Sequence, residues 1–311
     1  MEGDRLPGRT RIRTFMSKPQ SRSRNRSGRP PRSRAAAAPI SSHRLRVEDW
    51  LSGFHSVREA LRAGRREFDR LWLRRDGQRE GHAELAELAR ERGVRVEIVD
   101  GLALTERLGS EANHQGVALK AGPIPELSLE ALLEFARSAP GGESRLVALD
   151  GVEDPQNVGA LARVAESAGV QGLILTQRRA PDLTPAVSRA SAGAIEWLRV
   201  GRVSNLRRAL TSLQEAGYWI VAAGQNSESD LYELDDRILT GNLVIVLGAE
   251  GSGIRRSILA QADHRVEIPM RGRISSLNVS TAGAIILYDL LRRSESALSQ
   301  ASGLSGGAGA D

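Results

Sequence analysis

Between residues 144 and 293 the sequence alternates short apolar runs with helical periodicity, and this alternation constrains the fold more than any other feature. The runs are Leu146 to Asp150, Gly172 to Leu175, Trp197 to Val203, Tyr218 to Ala223, Leu243 to Leu247 and Arg265 to Ile268. All are strand-length and bounded by Gly, Pro or polar residues, so they read as buried strands. Helical patterns separate most of them, which predicts a parallel sheet covered on both faces. In such sheets ligands sit outside the carboxyl ends of the strands. The loops of unusual composition in this chain all follow those ends.

The last two runs, within Leu243 to Leu291, each stop at a Gly- or Pro-bearing loop that leads into a helix-like segment. A buried strand, a loop free of bulky side chains and a helix N-terminus together leave backbone N–H and C=O groups facing a polar ligand. Gly248-Ala249-Glu250-Gly251-Ser252-Gly253 has the wrong spacing for a dinucleotide fingerprint. Its glycines still let backbone press against a flat or charged ligand. Glu250 is either a ligand for a ribose hydroxyl or a proton, or an exposed residue of a turn. Farther on, Ile268-Pro269-Met270 runs through Ser275-Ser276-Leu277-Asn278 into an apolar helix. Ser276 or Asn278 would cap that helix, but capping does not account for so long a polar loop.

A third constellation follows the first run, from Leu149 to Gly159, and opens a helix reaching Ala168. Stepping about 100° per residue puts Val158, Leu161, Ala165 and Ala168 on one flank and Gly159, Arg163 and Glu166 on the other. Glycine beside arginine predicts open space in front of a fixed positive charge, suited to phosphate or to developing negative charge. The plain alternative is that Asp154 or Asn157 caps the helix and Arg163 is solvated.

Upstream, residues 47 to 121 alternate helix (His55 to Ala63), strand (Asp69 to Arg74), helix (Ala83 to Arg92), strand (Val94 to Val99), a short helix and strand (Gly116 to Lys120). Gly64 and Gly93 stand where helices end. This reads as a small α/β domain, whose Arg58, Arg62, Arg65 and Arg66 are candidate phosphate contacts or an ordinary wet face. Gly122-Pro123-Ile124-Pro125 marks a stiff boundary, followed by an amphipathic helix (Leu129 to Ala136) in a 122–143 linker region. The second domain spans 144–293, and Ser294 to Asp311 reads as a loose tail.

Charge is concentrated at the start. Residues 1–46 hold thirteen Lys or Arg against Glu2 and Asp4, a net of +11, while residues 47–311 carry 31 basic and 36 acidic residues, or −5. The arm has almost nothing to bury and is expected to be disordered. It can neutralise phosphates in a salt-dependent way or simply solubilise the chain. It lacks the apolar segment of a secretory signal, and no run approaches the roughly 18 apolar residues of a membrane span. The protein is therefore expected to be cytoplasmic without membrane partners, although an Arg- and Ser-rich start is also the composition of a transit peptide. The chain has no cysteine, which excludes disulfides, Cys-ligated zinc, iron–sulfur clusters and thiol nucleophiles. Its only lysines are Lys18 and Lys120, neither after a Gly-rich loop, so a Walker-type site is excluded too. The five histidines are scattered without ligand spacing, and no metal is expected.

Three ordered motifs at strand ends resemble those of the SpoU, or TrmH, family of RNA ribose 2′-O-methyltransferases in the SPOUT class. They are Asn157-x-Gly159-x-x-x-Arg163, Leu247-Gly248-Ala249-Glu250-Gly251-x-Gly253, and Ile268-Pro269-Met270 with Ser276-Leu277-Asn278-Val279-Ser280. Gly53 to Leu61 and His114-Gln115-Gly116-Val117 resemble the substrate-binding module of the family's two-domain branch, so the likeness covers about residues 50 to 293. The resemblance implies an α/β chain with a small, ribosomal-protein-like N-terminal domain. Its parallel-sheet SPOUT domain would be tied in a trefoil knot around S-adenosylmethionine. It also implies a homodimer in which the knotted regions meet. Carried over by motif position, Leu247, Gly248, Gly251, Ile268 and Leu277 would hold the cofactor, with Arg163, Asn157, Glu250, Ser276 and Asn278 as the catalytic neighbourhood.

Transfer of a methyl group to a 2′-hydroxyl needs alignment and loss of one proton, but no metal and no covalent enzyme intermediate. With a pKa above about 12, the Arg163 guanidinium is a poor base and a good stabiliser of a forming alkoxide; Glu250 is the candidate proton acceptor. The leading expectation is methylation of a guanosine in large-subunit ribosomal RNA. The alternatives are methylation of tRNA or of an antibiotic-resistance site of ribosomal RNA, or a non-catalytic RNA-binding assembly factor.

Overall fold

The computed structural model describes residues 50–76, 81–139, 143–225, 227, 229–239 and 241–305, all within one compact unit. The basic arm, residues 1–46, lies outside the described residues. The described residues begin with β1 (Trp50–Ser52), α1 (Phe54–Ala63), β2 (Phe68–Arg74), α2 (His82–Glu91), β3 (Arg95–Val99), α3 (Gly101–Leu108) and β4 (Val117–Ala121). The strands form one sheet in the order β1-β4-β2-β3, with β2 and β3 parallel and the other pairs antiparallel. Alternate residues of β2 feed two cores. Leu71 and Leu73 pack against α1 and α2, and Trp72 packs with Trp50, Leu104 and Leu108 on the α3 side. Helix α1 stops at Gly64, whose left-handed conformation (φ 60°) lets its N–H donate to Ala60 O at 3.0 Å. The chain thereby turns directly into Arg65 and Arg66.

The larger domain adds β5 (Glu126–Leu127), α4 (Leu129–Arg137), β6 (Arg145–Asp150), α5 (Pro155–Ser167), β7 (Gly172–Thr176), α6 (Pro185–Ala190) and β8 (Arg199–Val203). There follow α7 (Leu206–Glu215), β9 (Trp219–Ala223), β10 (Ser229–Asp230), α8 (Asp236–Leu239), β11 (Leu243–Gly248), α9 (Arg256–Leu259), β12 (His264–Glu267) and α10 (Val279–Ser305). Every pairing in this sheet is parallel, in the order β10-β12-β9-β11-β6-β7-β8-β5. The continuous apolar runs follow from burial on both faces. Val147, Leu149, Leu173, Ile245 and Leu247 point into the core shared with α5 and α10, while Leu146, Ala148, Ile174, Val244 and Val246 point into the one shared with α4 and α7. The expected parallel sheet is thus present.

Several boundaries differ from the sequence reading. The third run begins at Arg199 because residues 194–196 form a tight 3₁₀ turn, which leaves Trp197 largely exposed. The predicted loose tail is helical from Ser294 to Ser305, a continuation of α10. The Gly122–Pro125 boundary is built into the fold: Gly122 N–H donates to Glu67 O at 2.8 Å, and Ile124 is buried.

The largest difference concerns Arg65 and Arg66, expected to meet phosphate or to form an ordinary wet face. Both are used to dock the two domains. The Arg66 guanidinium donates to both Glu196 oxygens (2.8 and 2.7 Å), to Ser188 Oγ (2.9 Å) and to Gly122 O (3.0 Å). Its side chain is 3% exposed and that of Glu196 1%. Arg65 donates to Glu196 O at 2.9 Å and Leu198 O at 2.5 Å. Burial, with repulsion from Arg199, lowers the Arg65 pKa to about 10, so it stays charged at neutral pH. Gly193 permits this contact: a Cβ there would lie 2.6 Å from Glu59 Cβ of α1. Arg58 and Arg62 stay nearer the surface but are ion-paired, Arg58 with Glu59 and Arg62 with Glu59 and Glu84.

Candidate active site

Three loops meet at the carboxyl ends of β6, β11 and β12. Asp154 opens α5 by accepting the Gln156 N–H at 3.0 Å, which sets Asn157 in the first helical turn. Asn278 opens α10 in the same manner, its Oδ1 accepting the Ser280 N–H at 2.8 Å. The loop after β11 doubles back, with Gly253 N–H donating to Ala249 O at 2.9 Å, and carries Glu250 on the turn. Gly248 is required for that fold-back, because a Cβ would lie 2.3 Å from Gly253 C. Gly251 (φ 76°) supplies the left-handed residue of the turn.

The side chains these elements present bond to one another. Asn278 Nδ2 donates to Glu250 Oε1 at 2.6 Å and to Asn157 Oδ1 at 2.9 Å, and Asn157 Nδ2 donates to the same Glu250 oxygen at 3.1 Å. Residues 93 and 121 positions apart thus form one triangle. Glu250 Oε2 has no hydrogen-bond partner among the described residues, so the triangle holds a carboxylate in place with one oxygen free to accept.

Beside the triangle lies a cleft of about 1140 Å³ between the ends of β9, β11 and β12. Leu247, Gly248, Gly251, Ile268 and Leu277 all line it, as do Glu250, Ser276 and Asn278. Asn157 is outside the lining and reaches the cleft only through Glu250 and Asn278. Arg163 is also outside the lining. It is exposed on α5 and makes no hydrogen bond or ion pair with another described residue. Six residues along a helix separate it from Asn157 by about 9 Å and about 120°. Contrary to the sequence expectation, Gly159 does not open space in front of it. Gly159 is buried where α5 crosses α6, and a Cβ would lie 2.4 Å from Ala190 Cβ.

Sequence reasoning missed the residue that anchors this arrangement. Asp150, the last residue of β6, is 1% exposed and accepts from Arg255 N–H (2.9 Å) and Arg255 Nε (2.8 Å). It thereby ties the far end of the Glu250 loop to the central strand. An acid closing an otherwise apolar run was the available signal. Asp150→Ala is expected to cost about 1–3 kcal/mol, since Arg255 is half-exposed and can turn to water while its backbone N–H loses a charged acceptor. Urea unfolding checks this, and titration with S-adenosylmethionine should show weakened binding as the loop loosens. Among the described residues no cluster of His, Asp or Glu is arranged to hold a metal ion.

Residues 144–288 match the SpoU rRNA Methylase family, and residues 50–127 match the RNA 2′-O ribose methyltransferase substrate-binding domain. The chain belongs to the SpoU methylase family. The relatives agree. A 23S rRNA (guanosine-2′-O-)-methyltransferase, RlmB, of Pseudomonas aeruginosa is 38% identical over 78% of this chain and 95% of its own length. An uncharacterized tRNA/rRNA methyltransferase of Synechocystis is 36% identical over 83% of this chain, which spans 66% of that longer protein. A solved structure of AdoMet-bound rRNA methyltransferase from Sinorhizobium meliloti superposes with a TM-score of 0.64 at 25% identity, covering 78% of this chain and 86% of the other. In this SpoU chain the three family motifs are the segments that the triangle of Asn157, Glu250 and Asn278 joins.

Proposed function

We propose that this chain transfers a methyl group from S-adenosylmethionine to the 2′-hydroxyl of a guanosine in 23S ribosomal RNA. The triangle at the lip of the cleft carries the reading, because it sets a carboxylate with a free oxygen beside a concave site at the strand ends. The likeness to RlmB over 95% of that protein's length and 78% of this chain supports the substrate. The cleft suits the cofactor: Leu247, Ile254, Ile268 and Leu277 offer apolar walls to a flat base, while the turn around Gly251 and Gly253 exposes backbone to polar groups. When bound, S-adenosylmethionine supplies the electrophilic methyl carbon for an in-line displacement. Glu250 Oε2 is placed to accept the 2′-hydroxyl proton, and Asn278 and Asn157 hold that carboxylate's orientation through Oε1. Ser276, exposed on the cleft wall, offers a hydroxyl to the ribose.

Arg163 completes the site as the cation that steadies the forming alkoxide. In its own protomer it stands outside the cleft lining, about 120° around α5 from Asn157, which supports the homodimer: a second copy meeting the α5–α10 face would bring its Arg163 toward this cleft. The same face carries Tyr288, half-exposed on α10. The trefoil knot is part of the proposal. Its support is that the chain leaves β12, passes between the Gln225 loop (Gln225 Nε2 donates to Ser275 O at 3.0 Å) and the Glu250 loop, and only then forms α10 against α5. A cytoplasmic location fits a ribosomal RNA substrate; among the described residues no helix is long and apolar enough to cross a membrane.

The deciding experiment incubates the protein with S-adenosylmethionine and, in separate reactions, undermethylated ribosomal RNA or tRNA, then maps ribose methylation by resistance to alkaline cleavage. One newly protected guanosine in 23S RNA is expected. Protection on tRNA alone would redirect the substrate, and no protection with no binding of S-adenosylmethionine would leave an RNA-binding factor.

A further inference from the structure

With Arg65 and Arg66 used for docking, the cations that meet RNA near the reaction lie elsewhere. The loop between β12 and α10 reads Met270-Arg271-Gly272-Arg273-Ile274, and all five residues are exposed. Neither Arg271 nor Arg273 makes a hydrogen bond or ion pair with another described residue, whereas Arg58, Arg62, Arg70, Arg95 and Lys120 of the smaller domain are each ion-paired. Ile274 is 73% exposed and Met270 39%. Met270, Arg273 and Ile274 also line the wall of the cleft. Ile274 in particular turns most of an apolar side chain to water at the edge of the cleft.

Gly272 adds an independent observation. Its φ is not in the left-handed region, and a Cβ there would meet only Ile274 N, at 4.0 Å. Neither turn geometry nor packing demands glycine here, unlike Gly248 or Gly159. A bare backbone between two arginines leaves room for a bulky anion to come close to the chain.

We propose that the 270–274 loop is a substrate-RNA clamp. Arg271 and Arg273 grip phosphates flanking the target nucleotide, and Ile274 packs on the face of an adjacent base. Single-stranded RNA fits both halves of this surface, since its phosphates pair with guanidinium groups and its unstacked bases present apolar faces. The loop adjoins the cleft where the methyl donor is proposed to bind, so the grip would set which ribose is presented to Glu250. The inference rests on the methyltransferase reading above.

The test measures binding of in vitro transcribed 23S ribosomal RNA across a salt series, alongside calorimetry with S-adenosylmethionine. The Arg271→Ala/Arg273→Ala double variant should bind RNA roughly tenfold more weakly and lower the slope of log affinity against log salt by about 1.4, the release expected for two single-strand phosphate contacts. Arg271→Ala alone, at a residue outside the cleft lining, should leave the affinity for S-adenosylmethionine unchanged. Arg271→Lys/Arg273→Lys should recover most of the salt slope. Ile274→Ser should weaken RNA binding several-fold with no change in slope. Wild-type affinity and slope in the double variant would overturn the clamp, as would loss of S-adenosylmethionine binding with RNA affinity intact, which would assign the arginines to the cofactor. If the wild-type protein methylates no RNA in the alkaline-cleavage assay, the functional reading fails, an outcome distinct from any change in RNA binding by the variants.

Discussion

Arg163→Ala is expected to lower kcat about 100- to 1,000-fold while leaving the affinity for S-adenosylmethionine within about twofold of wild type, the magnitude typical of losing one preorganised charge at a developing oxyanion. The expectation follows from position. Arg163 does not line the cleft, so its removal leaves the cofactor walls of Leu247, Ile268 and Leu277 intact. It has no partner among the described residues to stabilise, and exposed positions on a helix tolerate alanine well. Unfolding should therefore be unchanged, and single-turnover methylation under saturating cofactor is the direct measurement. Loss of cofactor binding would refute the role. Mixing separates own from partner contribution: Arg163→Ala and Asn278→Ala, each inactive alone, should regain partial activity as mixed dimers if one protomer's Arg163 serves its partner's triangle. No recovery in verified mixed dimers would place the arginine within its own protomer's site.

Glu196→Ala is expected to destabilise the protein by about 3–5 kcal/mol, the cost of leaving one member of a buried ion pair without the other. Glu196 accepts from Arg66 Nε and Nη2 and from Ser188 Oγ at 3.0 Å, and none of these groups has water to turn to. The effect reaches beyond stability, because Arg66 belongs to the small domain and Glu196 to the large one. Undocking should raise the KM for ribosomal RNA far more than it changes kcat on bound RNA, since the cleft and triangle do not involve Glu196. Denaturant unfolding and a KM–kcat comparison check both halves. Arg66→Met/Glu196→Met should recover much of the lost stability, as apolar replacement of a buried pair often does. A loss below about 1 kcal/mol in Glu196→Ala would show that the pair does not hold the domains together.

The elements and the candidate site differ in how far each was legible in the sequence. Strands such as Leu243–Gly248 were plain because burial on both faces leaves an uninterrupted apolar run, and α1 and α5 because glycine and aspartate mark helix ends locally. Two-residue β5 and β10 were invisible, being edge strands defined by pairing alone. Loop composition and helix stepping revealed Gly248, Glu250, Asn278 and Arg163 as candidates, each beside a plainer reading, and the family motifs gave Asn157 and Arg163 their catalytic roles. Arg66 was misread for a physical reason. An arginine just past a helix looks the same whether it meets water, phosphate or Glu196, and its acid lies 130 residues away.

The sequence by itself determined the parallel sheet, the helix termini, the absence of thiol chemistry and the three motif loops, because each rests on periodicity, on composition or on residues close in the chain. Only the tertiary structure decided that Gly159 is a helix crossing, that Asp150 anchors the Glu250 loop, and that Asn157, Glu250 and Asn278 share a hydrogen-bonded triangle. The triangle's contacts join residues 28 to 121 positions apart, and their partners are set by how strands order in the sheet, which no local pattern encodes.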